Sequence, residues 1–412
     1  MSGTNGAWRG FRLFPDDVLF FRDGRPATRG DDHYLASVFP PNPSTLYGAL
    51  RTRRLLDEQV DLTTLGPDKE GAWQKLPAEL RRELGEWGGF GMLEIRGPWL
   101  VRGENEVLLP APADLGVTLA PRSRPERRRE EPDRPKVERV ARFLVPDPSE
   151  PEPAGHSHSL APLHPFEGNG RGWTAWKPEE IPPRLAGGWY LIPDGFRRWS
   201  EGGAPEPAQF VHQSELWATE RRVGVAMEDE RRTGREGHLF TFGFVRLRKG
   251  VALGFEARET GLRLDCRVRL GGEGRTCWLA DGPGLPATSA ANGRALRIAF
   301  ATPTLSEAGG WPPGFEGGNS TGVLGGTSLR LRAASLPGYT LIGGWDLARG
   351  GPKPLRRAIP AGAVASIAPA EGSEPLSPGR FHGTSHAGYP EEHLARQGFG
   401  LVLAGAEPQT TS

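Results

Sequence analysis

The chain has 412 residues, 37% apolar and 25% charged, which is the profile of a globular protein long enough for two cores. Its net charge of +1, from 51 basic and 50 acidic residues, does not announce a nucleic-acid binder, although a neutral total leaves room for one basic face. Two cysteines, Cys266 and Cys277, are too few for a disulfide scaffold or a Cys-rich zinc site. No run approaches the ~18 apolar residues of a membrane span, and MSGTNGAWRG lacks an apolar signal core. A cytoplasmic protein with no membrane association is expected. Gly (58) and Pro (40) are abundant, so turns and long loops are expected too. Only six basic residues are lysines (69, 75, 136, 177, 249 and 353). Arginine excess alongside Gly, Ala and Pro has a bland source in a GC-rich genome.

In chain order, residues 9–22 (RGFRLFPDDVLFFR) read as a first strand bent at Pro15, running into the turn RDGRP. Residues 44–57 (STLYGALRTRRLLD) read as a helix with Ser44 as N-cap. Leu46, Ala49, Leu50 and Leu56 form its apolar stripe, and Arg51 and Arg54 point away from it. A second helix is expected at 76–84. The stretch 121–139 carries eight basic and five acidic residues with four prolines and cannot bury a core, so 121–170 is read as largely insertion and loop. After about residue 215 strands dominate: 221–227, 238–247, 251–257, 262–270, 294–301 and 339–345, with clear alternation in LRLDCRVRL. GGNSTGVLGGTS (317–328) reads as a flexible loop. The fold class is α+β, sheet-dominated, in halves 1–215 and 216–412.

The chemistry is sparse. His156, His158 and His164 sit in a Pro/Ser/Gly loop without cysteine or paired carboxylates, and His382, His386 and His393 are spread through a C-terminal loop, so no metal and no cofactor is expected. Walker-type, H-E-x-x-H and G-x-S-x-G motifs are absent. The acid pairs Asp16/Asp17 and Asp31/Asp32 read as solvated. What remains is a set of Gly- and Arg-bearing turns beside strands: RDGRP, PPNPSTLYGALR, ERRVGV, GGWDLARGGPKPLRRAIPAGAV and QGFGLVL. Free backbone N–H groups, guanidinium forks and a helix N-terminus at Ser44-Thr45 are what a phosphodiester needs. The turn after Phe21 and the start of the helix are thus expected to form one cradle for an RNA backbone.

Taken in order, DVLFFRDGRP, FPPNPSTLYGALR, ERRVGVAMEDERRTGREGHLFTF, FATPTLSEAGGWPP, GGWDLARGGPKPLRRAIPAGAV and GFGLVLAG resemble the RAMP superfamily of CRISPR proteins. Within it they are most similar to subunit three of the type III-B Cmr effector complex. The resemblance spans about 11–404 and rests on these islands. It implies two ferredoxin-like, RRM-related domains with a C-terminal glycine-rich loop. It also implies a non-catalytic subunit that anchors the 5′ tag of the CRISPR RNA, docks the large polymerase/cyclase-like subunit and meets the first backbone subunit. RNA contacts are implied at Arg22, Arg25, Ser44, Thr45, Arg51, Arg221, Arg222, Lys353, Arg356, Arg357, Gly398 and Gly400. The aromatic signature of true RRM proteins is missing, so backbone and shape recognition is expected rather than stacking on a sheet. Two other readings are a metal-independent endonuclease of the same superfamily using His33 as base, and a scaffold that touches only protein.

Overall fold

The computed structural model describes residues 6–22, 34–65, 69–120, 134–144, 164–166, 184–227, 234–305, 310–315, 321–346, 351–370, 374–387 and 392–408. Its spine is an eight-stranded antiparallel sheet. In spatial order the strands are 210–212, 189–191, 106–110, 94–102, 251–258, 9–15, 276–281 and 266–269. Strands from both sides of residue 215 share this sheet. A second sheet follows, ordered 321–324, 327–335, 364–369, 296–300, 402–406. Smaller sheets are the long hairpin 217–227/234–247 with 34–36 beside it, a four-stranded sheet (164–166, 137–144, 115–119, 184–185), and a three-stranded one (304–305, 356–359, 340–342). The helices are α1 (Pro43–Asp57), α2 (Glu70–Gln74), α3 (Ala78–Leu84), α4 (Pro193–Ser200) and α5 (Glu392–Arg396). Among the described residues no helix is long and apolar enough to cross a membrane.

Both faces of the main sheet are buried along its central strands 94–102 and 251–258, which is why 251–258 (VALGFEAR) shows no alternation, whereas the outer strands 276–281 and 266–269 alternate buried and exposed residues. One face carries Phe11, Leu13, Leu253 and Phe255 under Leu46, Tyr47 and Leu50 of α1 and Leu80 and Leu84 of α3. The other carries Trp99, Val101 and Leu109, which meet Phe196 and Trp199 of α4 and Ala299, Val364 and Leu403 of the second sheet. The far side of the second sheet closes over Phe300, Phe315 and Phe381. The layers are therefore helix, sheet, shared core, sheet, loops.

Several expectations are corrected. The N-cap of the first helix is Asn42, and Ser44 lies inside the first turn because Pro43, pre-set for helical φ, already begins the helix. Leu56 is exposed and Leu55 is buried in its place. Arg54 is not solvated: it is buried and paired with Glu83 of α3 (3.0 Å) and Glu58 (3.0 Å), because α3 packs on the helix face that looked free. The expected flexible loop at 317–328 is from Thr321 onward a hairpin, turned at Gly325-Gly326, where both φ values are positive as a tight two-residue turn requires. Residues 137–144 are a strand paired with 115–119, so part of the expected insertion is sheet; 121–133 lie outside the described residues.

The joint between the two large sheets is a buried ion pair. Arg297, on the strand 296–300, is 3% exposed and Asp114 is fully buried. Arg297 Nη1 donates to Asp114 Oδ2. Trp199 Nε1 donates to the other carboxylate oxygen at 3.0 Å, and Arg297 also donates to Trp199 O at 2.6 Å and to Ala406 O at 2.9 Å. The guanidinium lies 4.7 Å from the Trp199 ring centre. The loop carrying Asp114 is pinned to the second sheet as well: Ala113 N–H donates to Gly362 O, and Ser335 Oγ donates to Ala113 O, both at 2.7 Å.

The long hairpin is held to the body by a different device, a surface network over an aromatic floor. Arg222 bridges Asp17 (3.0 Å) and Glu220 (2.7 Å), and Arg246 bridges the same two acids, at 2.9 Å to Asp17. Arg275 stands 3.6 Å from Asp17. Phe20, Phe242 and Phe244 pack edge-to-face and tilted beneath, and Leu19 and Val245 exchange backbone hydrogen bonds at 2.8 Å. The adjacent Asp16/Asp17 pair is thus engaged rather than merely solvated.

Asp114→Ala strands a buried guanidinium and is expected to cost about 3–5 kcal/mol in denaturant unfolding, whereas Asp114→Leu/Arg297→Met recovers most of that loss. If the double variant is the less stable, the joint is not an ion-pair effect. A second expectation concerns pH. Hydrogen bonds from Arg222 hold Asp17 below its usual carboxylate range, and those from Arg246 do the same for Glu220. A depressed folded-state value gives stability that is complete above the ordinary carboxylate range, about 4, and is lost as pH falls through the folded value. Amides of 217–225 and 241–247 are therefore expected to keep their protection, corrected for intrinsic exchange, from pH 7 to 5 and to lose it below about pH 4, ahead of amides in 251–258. Parallel loss in both segments would contradict a local mooring.

Candidate nucleic-acid interface

The strand end at Phe21 and Arg22 lies beside the segment that leads into α1, while the rest of the RDGRP turn, 23–26, lies outside the described residues. Arg22 and Ser37 form an antiparallel bridge, Val38 N–H donates to Phe21 O at 2.8 Å, and Phe21 N–H donates to Ser37 Oγ at 3.2 Å. The helix begins at Pro43, just past its N-cap Asn42, with Thr45 N–H donating to Asn42 O at 2.9 Å and no acid in the first turn to compete for its positive end. Beside that start a cleft of about 270 Å³ is walled by Phe39, Pro40 and Asn42 on one side and Trp99, Trp189 and Tyr190 on the other. Arg25 and His33 lie outside the described residues.

Arg51, one α1 turn behind Tyr47, is not a solvated helix residue. Its guanidinium lies 5.5–6.0 Å from the ring centres of Tyr47, Trp73 and Phe90, and it donates to Gly89 O at 3.4 Å. Phe90 in turn stacks on His393 of α5 at 4.1 Å. Here a cation is used to pack α1 against α2 and the chain's C-terminal region.

The two hairpin arginines part company because successive strand residues face opposite ways. Arg222 faces the Phe242/Phe244 floor and is engaged by Asp17 and Glu220. Arg221 faces outward beside exposed Val223, with its guanidinium 5.3 Å from the Tyr34 ring centre. Gly243 makes that possible, since a Cβ there would meet the Tyr34 hydroxyl at 2.5 Å.

The C-terminal run forms a ribbon. Residues 345–346 pair with 351–352, Lys353 N–H donates to Gly344 O at 2.9 Å, and 356–359 pairs with 340–342. Arg357 is exposed, opposite Leu341, and Arg356 is opposite buried Ile342. Gly398 and Gly400 are different in kind. Both are buried with φ of +91° and +66°, and a Cβ on Gly400 would sit 1.7 Å from His386 O. Thr302 ties the turn together: its hydroxyl donates to Gly398 O at 2.6 Å and accepts from Leu401 N–H at 3.0 Å. Close packing inside the protein accounts for both glycines.

The C-terminal histidines are not plain loop residues. His382 hydrogen-bonds Pro286 O at 2.8 Å and His386 the Thr384 hydroxyl at 2.7 Å, and burial pushes His386 down to about 4, so it stays neutral. Among the described residues no three His, Cys, Asp or Glu side chains group as a metal would need. His156 and His158 lie outside them. The residues that sequence reasoning missed are the exposed aromatics Tyr34 and Tyr339 and the second mooring cation Arg246. Their roles depend on cross-strand registers that no local motif announces.

These features can be set beside known proteins. Similar solved chains occur in the cryo-EM structures of the Type III-B Cmr-beta bound to cognate target RNA and AMPPnP (state 1) and of the same assembly bound to cognate target RNA. Each is 13% identical, covering 87% of this chain and 86% of the other, with TM-scores of 0.45 and 0.44. No match to a curated protein is found. The family model described as CRISPR-associated protein (Cas_Cmr3) matches residues 11–407, nearly the whole chain, and the chain belongs to that family.

Proposed function

We propose that this chain is a non-catalytic RNA-binding subunit of a type III-B CRISPR effector complex acting in antiviral defence. In this reading it holds the 5′ tag of the guide RNA and docks the large polymerase/cyclase-like subunit and the first backbone subunit. Ferredoxin-like units, one of them drawing strands from both sides of residue 215, carry the RNA surface on their loops and edge strands. Family membership across residues 11–407 is the observation that carries the reading. The geometry supports it where arginines reach the surface: Arg221 on the outer face of the long hairpin and Arg357 on the C-terminal ribbon. Arg22 stands at the bridge before α1, and Ser44 and Thr45 at a helix start that lacks acids. Arg22, Arg25, Ser44, Thr45, Arg221, Lys353 and Arg357 are the proposed backbone contacts, and Arg356, on the inner face opposite Ile342, supports the ribbon that presents them. Arg51, Arg222, Gly398 and Gly400 act through the shape of the surface they hold together.

The test is binding of the full chain, alone and in the assembled complex, to RNA with and without the 5′ tag across a salt series. Tag-dependent binding is expected, with affinity falling as salt rises by a slope of about 0.7 per phosphate contact on a logarithmic plot. Arg221→Ala/Arg357→Ala should lower the slope by about 1.4 on the same scale. The RNA should be recovered uncut. Salt-independent binding, or cleavage that persists in the purified chain, would overturn the proposal.

A further inference from the structure

The outer face of the C-terminal ribbon carries an apolar and cationic ledge that backbone contacts alone do not explain. The inner face of the strands 340–342 and 356–359 is ordinary core, with Ile342 and Ala358 packed on Leu305, Leu394 and Phe399. The outer face leaves the core at Ile359, which is buried, and from there outward exposes Arg357, Leu341 (42%), Leu355 (48%) and Tyr339 (60%). Leu341 and Arg357 are register partners, so they share this face. The Arg357 guanidinium lies 5.0 Å from the Tyr339 ring centre. The segments 336–342 and 351–360 contain three cations, Lys353, Arg356 and Arg357, and no acid.

We infer that Tyr339 and Arg357 form a stacking ledge for an unpaired base of single-stranded RNA, with Leu341 and Leu355 as its apolar rim. The inference rests on the RNA-binding reading above and adds a contact of a different kind. Charge decides the occupant: the segments 336–342 and 351–360, with three cations and no acid, suit a polyanion, and a phenol ring this exposed offers a π-face that any base can cover. The other exposed tyrosine does not qualify. Tyr34 is 41% exposed against 60% for Tyr339, and it lies across Gly243 on the sheet, so it offers less free ring than Tyr339 does. Sequence reading expected no stacking on a sheet because the RRM aromatic signature is missing. The ledge needs no such signature, because its ring comes from the turn before an edge strand.

The test uses the full-length chain and fluorescently labelled single-stranded RNA, including a series in which one abasic residue is walked along the strand. Tyr339→Ala is expected to weaken binding about tenfold while leaving the salt slope unchanged, because the lost contact is uncharged. Tyr339→Phe should bind as the unaltered chain does. One abasic position should cost a similar factor in the unaltered chain and nothing further in Tyr339→Ala. Circular dichroism of each variant checks folding, which an exposed tyrosine should not disturb. If Tyr339→Ala binds RNA normally with a normal salt slope, the ledge is wrong and the RNA-binding reading survives. If Tyr339→Ala keeps RNA affinity but fails to assemble with protein subunits, the face belongs to a protein partner and the ledge is again wrong. If the unaltered chain binds no RNA alone or in the complex, both readings fall.

Discussion

A guanidinium shut away from water constrains this molecule more than any other single group. Arg297 sits between the two large sheets, and a charge there is tolerable only if its donors are met. Asp114 and the carbonyls of Trp199 and Ala406 accept from it and the Trp199 ring packs against it, so its partners come from three different parts of the chain. Satisfying Arg297 therefore fixes the loop after strand 106–110, the end of α4 and the last strand at once. The last strand then brings the Gly398–Gly400 turn against Thr302 and His386, which places the ribbon that follows Thr340.

Arginine is the currency of this chain's chemistry, and its placements fall into two kinds. Some arginines are structural cations: Arg297 at the joint, Arg54 between α1 and α3, Arg51 among three rings, Arg222 and Arg246 over Asp17. Others stand at the surface against an aromatic ring, as Arg221 does with Tyr34 and Arg357 with Tyr339. Planar guanidinium serves both uses because it stacks and hydrogen-bonds at the same time. Adjacent residues such as Arg221 and Arg222 fall into opposite kinds for no reason except strand alternation.

Where a signal was local, the sequence was readable. The body of α1 followed from its apolar periodicity, although its start was misplaced at Ser44, and the strands 251–258 and 296–300 followed from apolar runs. The buried face of α1 was misjudged at Leu56 and Arg54, since only the fold reveals that α3 covers a second side. Strand 94–102 escaped notice because Arg96, Gly97 and Pro98 interrupt its apolar run. Gly325-Gly326 looked like a loop by composition and is a hairpin turn by geometry. Of the candidate site, the order of motifs was legible and led to the family. Which arginines face solvent was not, since that depends on partners such as Asp17 and Glu220 that lie about 200 or only two residues away.

In the proposed function, RNA meets the outward arginine faces while the inward arginines keep their protein partners. Cryo-EM of this chain assembled with guide RNA and its partner subunits tests that directly. RNA density is expected against Arg221 and the Tyr339–Arg357 ledge, with Arg51 still among its rings and Gly398 and Gly400 still enclosed. Phosphates seated on Arg51 or on the Gly398–Gly400 turn, with the outer faces of the hairpin and ribbon bare, would contradict it.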